Sequence, residues 1–148
     1  MKIRKGSTIF LTIFFGVLGT AKIFWATTYY AAAWGDDSNP GTINEPWQDC
    51  PGMPGWTGSA TLIPGDSVCF NNECTWETAS GNALLEVTGG VTYDGRTWGN
   101  GGRTLLRLTG TLPRSVIDIM VDHPTEPTVI AGFEVDANHQ ITSGITVN

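Results

Sequence analysis

Apolar and polar positions alternate in short stretches along most of this chain, and that rhythm predicts strands. Beyond residue 80, apolar bursts fall at 83–87, 91–93, 105–108, 116–121, 129–135 and 141–147. Turn formers separate them: Gly89-Gly90, Asp94-Gly95, Gly99 to Gly102, Pro113, Pro124, Asn138 and Ser143-Gly144. No burst is long enough for a helix, and β-branched residues dominate. Comparable bursts recur from Leu84 to Leu105 and again from Leu105 to Val129. Such an interval matches the length of one winding in a solenoid whose strands stack rung on rung. The residues themselves do not repeat, so spacing alone serves a β-helix and a β-sandwich equally.

Upstream, residues 27–33 form a short apolar strand, followed by a dense run of turn formers at 35–42. Asn44 as a cap and Pro46 in the first turn predict a short helix over 44–49. Residues 50–58 are rich in Pro and Gly and read as loop. The turn at 62–66 feeds a strand at 67–70.

The first residues have the layout of an export signal. Lys2, Arg4 and Lys5 precede an apolar run over 9–18, and Gly19-Thr20-Ala21 supplies small residues for cleavage after Ala21. A second cut after Ala26 is the alternative, and so is an uncleaved anchor, since Ile23, Phe24 and Trp25 extend the apolar character. The expected localisation is secreted, extracellular or periplasmic, with no stable membrane association once residues 1–21 are removed.

Removal of the leader changes the charge. It takes three of the eight basic residues and none of the fourteen acids. Residues 22–148 then hold five bases against fourteen acids, a net charge of −9. Such a surface repels phosphate backbones, which argues against nucleic acid as a partner. It is compatible with bound cations, including Ca²⁺ bridging to an acidic polymer.

Cys50, Cys69 and Cys74 are expected to pair in an oxidising compartment. A hairpin with Asn71-Asn72 at its tip would set Cys69 opposite Cys74, the preferred disulfide. A link from either to Cys50 remains open. Cys50 alone reads as a free thiol, a link to an unseen partner, or the sign of a chain that continues. No cysteine or histidine spacing supports zinc.

The run Thr28-Tyr29-Tyr30, then Gly35-Asp36-Asp37-Ser38-Asn39-Pro40-Gly41-Thr42, then Pro46-Trp47 resembles the N-terminal segment of the right-handed parallel β-helix, or pectate-lyase-like, superfamily. Pro64-Gly65-Asp66-Ser67-Val68, with Phe70 and Trp76, is similar to a later segment of that family. Gly132-Phe133-Glu134-Val135-Asp136 resembles one of its early coils. Ala31-Ala32 departs from the pattern, which has a larger β-branched residue, and the cysteine pair stands where the family has unlinked residues. The resemblance implies an all-β fold, a right-handed parallel β-helix or solenoid. Residues 22–79 would be its N-terminal strand, loop and cap, and 80–148 its first rungs, incomplete at the C-terminus. It also implies a polysaccharide partner and, on rungs beyond residue 148, a lyase or glycoside hydrolase site. A non-catalytic β-solenoid, such as an adhesin or a carbohydrate-binding module, is the alternative.

Several residues are candidates for that chemistry. Alternation puts Asp118 and Asp122 on one face of a strand, and Glu134 and Asp136 on the outer face of another. Carboxylates on neighbouring rungs can bind Ca²⁺ or act as an acid and base pair. Acids on outer strand faces also simply keep them soluble. Asp118 and Glu134 stand less than one winding apart in sequence, which can place them on different sheets. Asp36, Asp37 and Asn39 form a second candidate Ca²⁺ loop, although turn hydrogen bonds explain the same residues. His123 and His139 are candidate bases or solvated turn residues. Arg107 can face an anionic sugar, act as a lyase base or neutralise nearby acids. Of Trp34, Trp47, Trp56, Trp76 and Trp98, which stack on sugars or fill the core, Trp56 is the candidate substrate-binding residue because glycines flank its loop.

Overall fold

The computed structural model describes residues 25–79, 83–110, 116–119, 126–137 and 145–147. The expected leader, Asp122, His123 and His139 lie outside them. Among the described residues no helix is long and apolar enough to cross a membrane.

The chain is all-β. Its strands are β1 (Thr28–Ala31), β2 (Ser67–Asn71), β3 (Thr75–Thr78), β4 (Leu85–Val87), β5 (Thr92–Trp98), β6 (Thr104–Leu108), β7 (Ile117–Ile119), β8 (Val129–Ala131), β9 (Phe133–Asp136) and β10 (Ile145–Val147). The strands form three sheets, in the orders β1-β2-β5-β8, β3-β6-β9 and β10-β7-β4. Every pairing is parallel. Parallel neighbours need a long connection between them, and here that connection runs through the other two sheets. From β2 onward the chain visits the three sheets in rotation, an arrangement compatible with a β-solenoid.

Side-chain alternation carries the core. Val68 and Phe70 of β2, Trp76 of β3, Leu85 and Val87 of β4, Tyr93 of β5 and Leu106 and Leu108 of β6 are buried in one cluster. The residues between and beside them, such as Cys69, Glu77, Glu86 and Arg107, remain partly or fully accessible. Tyr93 is the polar exception. Its hydroxyl accepts a hydrogen bond from the Thr88 N–H at 2.9 Å, and burial pushes its pKa up to about 12.

Four sequence expectations, the last a disulfide, are corrected. Leu84 and Leu105 do not mark one winding, because Leu84 directly precedes β4 and Leu105 lies in β6, strands of different sheets. The positions that do pair are Ser67 with Thr92, Thr75 with Leu105 and Leu85 with Ile117. Each of these intervals is longer than either interval between the bursts. The segment 44–49 is no helix. Trp47 instead makes a parallel bridge to Ala31.

Nor does Asn71-Asn72 close a hairpin. It is a corner, with β2 in the first sheet and β3 in the second. Asn71 Oδ1 accepts from the Glu73 N–H at 2.9 Å. Asn72 reaches the next winding, donating to the Arg96 carbonyl at 2.9 Å and accepting from Gly101 N–H at 2.8 Å. Cys69 therefore faces out of the first sheet, near the Thr97 hydroxyl, while Cys74 packs against the core at the start of the second. No two cysteines lie close enough to bond, and all three are free thiols.

The segment that follows β1 seals its open edge. Tyr30 N–H donates to the Gly41 carbonyl (2.8 Å), Trp47 N–H to the Tyr30 carbonyl (3.0 Å) and Ala32 N–H to the Trp47 carbonyl (2.9 Å). Unpaired strand edges invite pairing with other chains, and here the loop's own backbone occupies that edge. Gly41 makes the close approach. Its φ is +75°, and a side chain there would run into the Trp47 indole.

Candidate functional site

The loop that seals β1 also builds a cleft of about 500 Å³, half open to solvent. Tyr29 and Trp47 stack at its floor, with ring centroids 4.5 Å apart and planes 22° apart. Asp37, Ser38, Asn39, Thr57 and Ser59 supply polar walls. Trp47 is almost wholly buried, and its indole N–H donates to the Asn39 carbonyl at 2.9 Å.

Asp37 ties the walls together. One oxygen accepts from Asp49 N–H at 2.8 Å; the other accepts from the Thr57 N–H at 2.9 Å and hydroxyl at 3.1 Å. This clamp joins segments that are well separated in sequence. It has an electrostatic consequence for Asp49, whose carboxyl is held above its ordinary pKa, first by burial and then by the Asp37 charge. The neighbouring Cys50 thiol is pushed well up, mainly by burial and further by Asp49 and Asp37.

The other two residues of the predicted Ca²⁺ loop are engaged in turn hydrogen bonds. Asp36 Oδ1 accepts from the Ser38 hydroxyl at 2.6 Å and from the Ser38 N–H at 2.8 Å. These bonds lower its pKa, the hydroxyl contributing more. Asn39 donates through its amide nitrogen to the Pro46 carbonyl. Among the described residues no group of three or more His, Cys, Asp or Glu is placed to hold a metal ion. Trp56 backs the cleft instead of lining it. Its ring meets Trp47 edge-on at 5.2 Å and lies against Gly58.

The predicted acid and base residues are distributed over two sheets. Asp118, in β7, is 1% exposed, so the accessible carboxylate expected there is a buried one; it stands in register with Glu86 of β4. Glu134 and Asp136 do face outward on β9. Asp136 pairs in register with Arg107 of β6, which pairs with Glu77 of β3. The Arg107 guanidinium bridges both acids, at 3.0 Å to Glu77 and 3.1 Å to Asp136. Those hydrogen bonds, Glu77 first, raise its pKa further above the ordinary arginine value. Arg107 thus neutralises neighbouring acids.

One further group is assembled by the fold and by no local sequence pattern. Tyr30, on the outer side of β1, meets Trp98 at the end of β5 edge-on, with centroids 5.3 Å apart. Trp34, in the turn after β1, meets the same indole at 6.3 Å. Only the strand order β1-β2-β5 brings these residues together. The visible signal was the Tyr29-Tyr30 pair, whose alternation sends one ring to each face. No protein-family model, no curated protein and no solved structure matches the chain.

Proposed function

We propose that this chain forms the N-terminal cap and first windings of a secreted right-handed parallel β-helix that binds polysaccharide. Any lyase or hydrolase site would lie on further windings. The observation that carries this reading is the rotation of the chain through three parallel sheets, begun by a strand whose edge the Asp36–Trp47 loop closes. That loop is also where the resemblance to pectate-lyase-like proteins is most specific.

Binding is favoured over catalysis in this part of the molecule. Asp136 is committed to Arg107 and Asp118 is buried on another sheet, whereas acid and base catalysis of glycoside cleavage needs two carboxyls facing one bond. An array of neutral and uronic-acid polysaccharides, probed with the full chain, tests the reading. Retention on at least one polymer, abolished by free oligosaccharide of the same kind, is expected. Retention on none refutes it.

A further inference from the structure

We infer that Tyr30, Trp34 and Trp98 form a platform that stacks on the pyranose rings of a polysaccharide; this deepens the polysaccharide reading above and rests on it. Trp34 is 63% exposed, against 1% for Trp47 and 4% for Trp76. A chain in water normally hides so large an apolar ring, and contiguous exposed ones mark a contact surface. Here three rings are contiguous, and all belong to the outer side of the first sheet or the turn beside it.

The rings hold one another in place. Tyr30 and Trp34 each meet Trp98 at a steep angle, 82° and 67°. Edge-on packing of this kind is favourable for aromatic quadrupoles. It fixes the side chains before a ligand arrives, so little rotamer entropy remains to be lost on binding. Rings with apolar faces and a solvent-exposed setting suit a ligand that itself has an apolar face and a hydroxylated edge, which describes a sugar ring.

Size decides against a protein partner. A stable protein interface covers about 800 Å² on each side. Three aromatic side chains offer about 150–250 Å² each even when fully exposed, and two of these three are already partly buried.

Affinity electrophoresis of the full chain through gels containing the retained polysaccharide tests this. Trp34→Ala is the first variant, because its exposure lets the fold survive; Trp34→Ala/Trp98→Ala is the second, with a thermal melt for each. Truncating an aromatic anchor typically weakens binding about tenfold. That loss in Trp34→Ala, with an unchanged melt, is the expected result. Equal retardation of wild type and both variants overturns the platform while leaving the polysaccharide reading intact. A wild-type chain retarded by no polysaccharide defeats both. A concentration-dependent dimer that Trp34→Ala abolishes, seen by size-exclusion chromatography, also overturns the platform by making a second copy its occupant.

Discussion

The Asp37 clamp yields a prediction whose size follows from its hydrogen bonds. Asp37→Ala removes the acceptor for two backbone N–H groups, those of Asp49 and Thr57, and for the Thr57 hydroxyl. The hydroxyl can turn to water. The two N–H groups are partly buried, and each costs about 1–3 kcal/mol when left unpaired. Water entering the half-open cleft offsets part of this, so about 2–4 kcal/mol is expected. Domains of this size are stable by roughly 5–15 kcal/mol, and each kcal/mol moves the melting temperature by about 4 °C. Asp37→Asn separates hydrogen bonding from charge. Its amide keeps one accepting oxygen but points N–H groups at a donor, so a loss of about half the alanine value is expected. Urea unfolding at pH 7, read as midpoint and slope, measures both. An alanine variant within about 1 kcal/mol of wild type, at unchanged slope, would refute the clamp as a structural element.

Asp49 has its carboxyl pKa raised by burial and by Asp37. Its ionised form is therefore disfavoured in the folded chain, a cost that is absent below the ordinary carboxyl value of 3.8 and appears as pH rises through the folded value. Asp49→Asn should be more stable than wild type at pH 7, with the difference closing below pH 3.8 in a melting series; a difference independent of pH would contradict the sign. Arg107→Ala removes two half-exposed ion pairs and should cost less than about 1 kcal/mol, shrinking in high salt. Unfolding curves at two ionic strengths check it. A thiol reagent should titrate two cysteines in the folded chain, Cys69 and Cys74, and three after unfolding, since Cys50 is wholly buried. Two blocked thiols in the unfolded chain would restore a disulfide.

Apolar bursts between turn formers located most of the strands, although β3 was read only as the return of a hairpin and β8 and β9 as a single burst. Which strands neighbour one another was not legible. One winding takes three strands, one burst can hold two of them, as β8 and β9 do, and corners such as 99–103 differ in length, so spacing between bursts does not give position in a sheet. Asn71-Asn72 shows the same limit. Asparagine marks a change of direction, but whether the chain doubles back or turns a corner depends on distant partners on the next winding, Arg96 and Gly101. The outward positions of Glu134 and Asp136 were readable from alternation. The burial of Asp118 was not, since tertiary cover overrode the strand pattern. Trp34 and Trp98 were visible as tryptophans, yet their meeting depends on a strand order that no local pattern encodes.

The sealed edge of β1 gives the molecule a direction. With Gly41 and Trp47 occupying the outer hydrogen-bonding groups of Tyr30 and Ala32, the first sheet extends, among the described residues, away from β1 towards β8. The fold is in this sense a ruler with a fixed zero. Each later winding takes its register from the one before it, and a longer corner hangs outside without moving the origin. Variation in the corners can therefore reshape the outer surface while Tyr30, Trp34 and the cleft beside them keep their places.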